Sequence, residues 1–269
     1  MTWAWGAVEI TRVADPDFEL ILPQDPTTVE ALASTPWLHP HFVTDDHSLR
    51  VGSSAILVRT PSAVVLVDPW LAFDDPARLA PRLAALRSAG IDPAEVDVVI
   101  NTHIDGLGAN VTADGSATFP RARYLVPAAE LEDLRAGKAD ERALPLLGLL
   151  GRGQVEAVTG DEHVVPGVHL EDAPGHNRGM VTVWVSSIGQ EAVIVGHLFL
   201  HPAQIADPDT ANGDLDPVAL AATRRRVLER CAEDDVLLIG PLFAAPGGGH
   251  IRQHHSTWRL DPTAQLALQ

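Results

Sequence analysis

What most restricts this chain is an order of elements that occurs twice. In the first half, "AILVRT" (Ala55–Thr60) and "AVVLVDPW" (Ala63–Trp70) are β-rich runs joined by Pro61 and Ser62, the pattern of a hairpin. "DPARLAPRLAALRSAG" (Asp75–Gly90) follows, with an Asp cap, Pro in the first turn, leucines at helical spacing and a closing Gly. "VDVVINTH" (Val96–His103) is a short unbroken apolar run, as a buried strand requires. "ARYLVP" (Ala122–Pro127) reads as the next strand and "AAELEDLRAGK" (Ala128–Lys138) as the helix after it. The second half returns to the theme. "MVTVWVSS" (Met180–Ser187) and "EAVIVGHL" (Glu191–Leu198) predict a second hairpin. A capped amphipathic helix over Asp216–Asp235 and a buried strand over Val236–Phe243 complete it. Two such halves, packed sheet to sheet with helices outside, give an α/β protein with a four-layer αββα sandwich. A single domain over residues 1–269 is expected, with residues 1–50 as a strand plus a pocket-covering loop.

Charge and cysteine content narrow the function classes. A formal net charge of −17 argues against nucleic acid or an anionic membrane as partner, because both repel it. Cys231 is the only cysteine, so neither an internal disulfide nor a thiolate zinc cluster can form, and its helical context predicts a small buried apolar side chain. The N-terminus lacks the basic and apolar regions of a secretion signal, and no segment approaches a membrane-spanning length. A cytoplasmic location is the expectation. No G-x-S-x-G occurs, and "GGG" at Gly247–Gly249 lacks the Lys and helix of a phosphate loop. Arg224, Arg225 and Arg226 fall on three faces of the last helix and read as a solvated surface.

The polar turns at the strand ends carry the chemistry. They are "THIDGLGAN", "APGHNRG", "VIVGHLFLHPAQ" and "LIGPLFAAPGGGH". In their order and spacing the chain resembles the metallo-β-lactamase superfamily, in the branch of methyl parathion hydrolase and quorum-quenching lactonases. The likeness runs from "VEITRV" to "STWRLDP". It implies the αββα fold of that superfamily and an ancestral pair of zinc ions held by histidines and carboxylates. His103 and His176 match the first and third histidine ligands of the family pattern. His197 stands at the bridging Asp, and Leu242 at the late His. The first turn aligns in two ways. Without a gap, Asp105 replaces the second His; with a two-residue deletion Asp105 is the family's Asp, and Gly108 and Asn110 fall in register. Either alignment loses several ligands and dismantles the two-zinc centre.

The surviving constellation is His103, Asp105, His176 and His197, assigned acid, base and orienting roles. No metal or other cofactor is expected; the alternative is one zinc, iron or manganese ion held by those same four residues. A pocket lining is expected from Trp37, His39, His41 and Phe42 in the N-terminal loop, with His201, Leu242 and His250. Imidazole acid–base catalysis contributes roughly 10²–10⁴-fold, enough for a lactone, thioester or other activated acyl group. The leading expectation is a hydrolase-like enzyme acting on such a small molecule without metal. Its rivals are a cofactor-free cyclase, dehydratase or lyase of a specialised biosynthetic pathway, and a non-catalytic small-molecule-binding protein. The branch resemblance and the N-terminal Trp3 and Trp5 add the expectation of a homodimer; equally, these tryptophans cover the chain's own sheet.

Overall fold

The computed structural model describes residues 1–16, 18–71, 76–104, 109–211 and 213–262. Strands β1 (Thr2–Trp5) and β2 (Val8–Ala14) begin the first sheet. A ribbon of β3 (Leu20–Leu22) and β4 (Leu49–Val51) flanks helix α1 (Pro26–Ala33). The chain then runs β5 (Ser54–Arg59), β6 (Val64–Val67), α2 (Leu79–Ser88), β7 (Val98–Ile100), β8 (Arg123–Pro127), α3 (Ala128–Arg135), α4 (Leu146–Gly151) and β9 (Val155–Val158). The first sheet has the order β1-β2-β5-β6-β7-β8-β9. Its antiparallel hairpins give way to parallel pairing from β6 to β9.

The second half contributes β10 (His163–Val165), β11 (Val168–Asp172), β12 (Val181–Ser187), β13 (Gln190–Ile194), α5 (Ala203–Ala206), α6 (Pro217–Glu233), β14 (Leu237–Ile239), β15 (Gly248–His254) and β16 (Thr257–Pro262). These strands pair in chain order, antiparallel except for β13 against β14.

Side-chain alternation explains the layering. Along β5, Ile56 and Val58 face the inter-sheet core while Ala55 and Leu57 face the helices α2, α3 and α4. Along β12, Val181, Val183 and Val185 join that same inter-sheet core, and Trp184 points to the α6 side. Both sheets are therefore buried on both faces, which is why their strands read as unbroken apolar runs. The result is helix, sheet, sheet, helix. Cys231 is fully buried in the α6 layer, where loss of hydration pushes its thiol pKa up.

Several boundaries differ from the sequence expectation. The run Glu191–Leu198 stops pairing at Ile194, because Gly196 takes φ +53 and the chain tightens into a 3-10 turn at Gly196–Leu198. The run Val236–Phe243 ends at Ile239 for a similar reason, a turn closed by Phe243 N–H on Gly240 C=O. The expected cap Asp75 lies outside the described residues; the helix itself is α2, preceded by a 3-10 turn at Pro76–Arg78. Trp3 is buried between the sheets and Trp5 packs beside it, so both cover the chain's own core. Among the described residues no helix is long and apolar enough to cross a membrane.

Candidate metal centre

Four strand ends meet at one edge of the sandwich. Asp68 directly follows β6, and Asn101, Thr102 and His103 directly follow β7. The β11–β12 turn carries His176, and the turn after β13 carries His197. The two sheets are stitched together here by the Val181 N–H, which donates to Thr102 C=O at 3.0 Å. Gly196 is required at this seam: a Cβ there would lie 2.3 Å from Thr102 Oγ1.

The three histidines converge. Ring centroids of His176 and His197 lie 4.0 Å apart, and His103 lies 5.4 Å from His176 and 5.3 Å from His197. Each offers one ring nitrogen, and those nitrogens all fall within 4.8 Å of one another. Among the described residues this is the one group of three or more His, Cys, Asp or Glu side chains arranged to hold a metal. The Nε2 atoms of His103 and His176 are buried and have no hydrogen-bond partner. A buried polar atom left in this way costs free energy unless something binds it.

The outer nitrogens are occupied, and this fixes which nitrogen faces the cluster. His176 Nδ1 lies 2.7 Å from the buried carboxylate of Asp214, so it carries the proton and leaves Nε2 as a lone pair. His103 Nδ1 lies 3.1 Å from Thr102 Oγ1, whose own proton goes to Asp68 Oδ2 at 2.8 Å. With Asp68 ionised, Nδ1 must donate to the hydroxyl, and His103 Nε2 is again a lone pair. Burial raises the Asp68 carboxyl to about 7, against the Thr102 N–H and O–H, which lower it. Burial, with the neighbouring His197 and His176, holds His103 well below the ordinary imidazole value. Burial also brings His197 down to about 3, aided by His176 and Arg224 and opposed by Asp214. Neutral imidazoles with inward lone pairs are the form that ligates metal.

Helix α6 positions the two histidines of the second half. Its N-cap, Asp216, accepts from Val218 N and Ala219 N, and Pro217 occupies the first turn, as the sequence predicts. Gly175 packs so tightly on Leu220 that a Cβ would approach its Cα to 2.3 Å, and Thr223 Oγ1 donates to Pro174 C=O at 2.9 Å. Arg224 corrects the expectation of a solvated arginine face: it is 1 % exposed. Its guanidinium donates to Leu198 C=O at 2.7 Å, to Pro208 C=O at 3.2 Å and to Thr210 C=O. One buried cation thereby ties the residue after His197 to the loop that leads to Asp214.

The remaining candidates divide. Asp105 lies outside the described residues. Leu242 shares with His103, Ser53, Ser54 and Asp68 a cavity of about 10 Å³, room for a single water. The other expected lining residues lie elsewhere. Phe42 is fully buried in the α6-side core, edge-on to Phe243 and to His201. His201 is buried with both nitrogens engaged, Nε2 donating to Phe42 C=O at 2.7 Å and Nδ1 accepting from Ala203 N at 3.0 Å. Trp37 packs on that same core. His39 and His41 are exposed, and His39 Nε2 pairs with Asp45 at 2.9 Å. His250 sits on β15 with Asp235 3.2 Å from its Nδ1. Asp214 was missed from the sequence, because "TANGDLDP" is a polar loop in which nothing singles out that carboxylate.

Fold and site together set three converging histidines at one edge of an αββα sandwich. The family model of the metallo-β-lactamase superfamily matches residues 49–260, and the chain belongs to that superfamily. A search of curated proteins finds no match to this chain. Among solved structures, the dizinc quorum-quenching lactonase AidC, in complex with the product N-hexanoyl-L-homoserine, superposes with a TM-score of 0.80 at 17% identity, covering 98% of this chain and 97% of that one. The hydrolase AbOPH of the β-lactamase superfamily gives 0.82 at 20% identity, with 98% and 97% covered. A probable metal-dependent hydrolase from Staphylococcus aureus gives 0.69 at 15% identity, with 97% and 100% covered.

The outer hydrogen bonds make a direct prediction. Asp68→Asn, with its carbonyl kept on Thr102 N–H, turns an amide N–H toward Oγ1 and reverses the hydroxyl, which moves the His103 proton to Nε2. Asp214→Ala frees the His176 tautomer. Each should weaken zinc binding by about 10–100-fold in a chelator-competition titration. Unchanged affinity in both variants would mean that these contacts do not orient the ligands.

Proposed function

We propose that the chain is a hydrolase of a small activated acyl compound, a lactone being the best candidate, built on a single metal ion held by His103, His176 and His197. The observation that carries this reading is the pair of buried, partnerless Nε2 atoms aimed at one point beside His197. Three histidines with an open position suit zinc; iron and manganese are the other candidates. Such an ion supplies Lewis acidity and lowers the pKa of water from 15.7 to about 7.

The chain's own groups do the rest. Asp214 and the Thr102–Asp68 pair hold two imidazoles in one tautomer. Asp105, two positions beyond His103 in sequence, is the remaining acid–base candidate. Leu242 gives the site an apolar wall beside His103. The metal-free alternative asks an imidazole to exchange protons near neutrality. His197 at about 3 and His103 held low are poorly matched to that task. The lactonase among the structural relatives supports an activated acyl substrate, and the net charge of −17 disfavours an anionic one.

The test combines metal content with turnover. Apo protein titrated with zinc, manganese or iron(II) should bind one equivalent. Hydrolysis of a γ- or δ-lactone in ¹⁸O-water should place the label in the product acid, stop on chelation and return with metal. Chelator-resistant hydrolysis would instead establish the histidine acid–base mechanism. Two bound equivalents would refute the single-ion site.

A further inference from the structure

A second cavity, of about 470 Å³, lies between the N-terminal segment and α5. It contains none of the three histidines. Its walls are mixed. Leu32, Leu38, Leu49 and Leu200 supply aliphatic surface, and the charged side chains that line it are the acidic Asp25 and Asp207. With no lysine or arginine in the lining, a carboxylate or phosphate finds no counter-charge and meets two like charges.

The polar groups around the cavity are mostly committed to the protein. Thr28 Oγ1 donates to Asp25, Ser34 and Thr35 donate to Ala31 C=O, and Thr210 donates to Asp207. His201 has no nitrogen to spare. Gln204 differs. It is 4 % exposed, and its Oε1 accepts from Leu200 N at 2.7 Å and His201 N at 3.3 Å. These bonds fix the amide so that Nε2 is left with two hydrogens and no protein acceptor. An amide N–H₂ that reaches a roomy cavity offers its two hydrogens to water or, in its place, to a carbonyl oxygen on a molecule that enters.

We propose that this cavity is a binding site, separate from the histidine cluster, for an uncharged amphiphile that places a carbonyl oxygen on Gln204 Nε2 and an aliphatic group against the leucines. With His201 fully engaged, the site has no free imidazole nitrogen for acid–base chemistry. It binds its ligand without turning it over, and it does so whether or not the histidines hold a metal.

Three probes of one chain length separate the determinants: hexanamide, hexanoate and hexylamine, each titrated into the full chain and followed by amide chemical shifts. Hexanamide should give saturable shifts at the Gln204 side chain, Leu32 and Thr210. Hexanoate should bind at least about tenfold more weakly, and hexylamine, a cation with no acceptor, should leave the Gln204 side-chain amide unshifted even where Asp25 and Asp207 attract it. Gln204→Glu keeps an oxygen for Leu200 N and His201 N but removes the N–H₂, and should weaken hexanamide by about tenfold or more. Ala31→Trp, on the exposed side of α1, fills the cavity and should abolish binding even if the Gln204 variant fails to fold. Equal binding of amide and carboxylate would overturn the proposal. So would a neutral effect of Ala31→Trp, shifts confined to His176 and His197, or no saturable binding of any probe.

Discussion

Replacing His103 or His176 with alanine is expected to leave a folded protein that retains well under one equivalent of zinc, manganese or iron and hydrolyses lactone at least about 10²-fold more slowly. The reason lies in how the cluster is divided. His103 comes from the first sheet, His176 and His197 from the second, and no two of them alone bring three nitrogens to one point. Removing either oriented imidazole also removes its outer hydrogen bond, to Asp214 for His176 and to the Thr102 hydroxyl for His103. The control is Leu242→His. It restores the residue the resemblance expects at the late position, and on the single-ion reading one added ligand does not complete a second metal site. Elemental analysis should return one equivalent for this variant. Two equivalents would show that the reduced ligand set of "THIDGLGAN" is more complete than its sequence indicates.

Asp15→Ala should lower global stability by about 3–5 kcal/mol, the cost of removing one partner from a buried ion pair. Asp15, 5 % exposed, follows β2 and accepts from Arg82 Nε at 2.9 Å, Arg82 Nη2 at 2.7 Å and Arg78 Nη2 at 3.0 Å. Arg82 is buried within α2 and also donates to Leu71 C=O at 2.9 Å. Without the carboxylate, a guanidinium buried beside Trp70 has lost a doubly hydrogen-bonded counter-charge. Thermal or urea unfolding reads the loss. A change below 1 kcal/mol would mean that water reaches the arginine and hydrates it. Burying this pair is costly in the first place, so replacing both partners with apolar residues should be far milder than replacing one.

Much of the fold was legible because buried strands and capped helices leave local signatures. The β5–β6 hairpin, the α6 cap at Asp216 and the buried strand just before His103, shorter than expected at Val98–Ile100, all follow from patterns within a dozen residues. His103, His176 and His197 were legible through the resemblance, at positions of its ligand motif, and their rings meet in the fold. Asp214 was not, since its role depends on a loop folding back 38 positions along the chain to His176. Arg224 misled for a different reason. It shares a helical face with Leu220 and Leu228, a spacing of four on either side, and both of those are fully buried. Its neighbours Arg225 and Arg226 suggested solvent, but the helical period placed Arg224 inward. Phe42 was expected at a substrate because its Pro-containing loop resembles a lid, and His201 because it follows closely on His197; Phe42 packs edge-on against both Phe243 and His201 in the core.

The contact of Gly196 with Thr102 bears on how such a site changes over evolutionary time. The separation of the two strand ends is set by backbone packed against side chain. Inner residues such as His197 and Leu242, where the resemblance expects Asp and His, can therefore vary while the distances across the seam stay put. A chain built this way can lose one chemistry and try another without first relearning how to fold. The position that cannot drift is the one with no side chain at all.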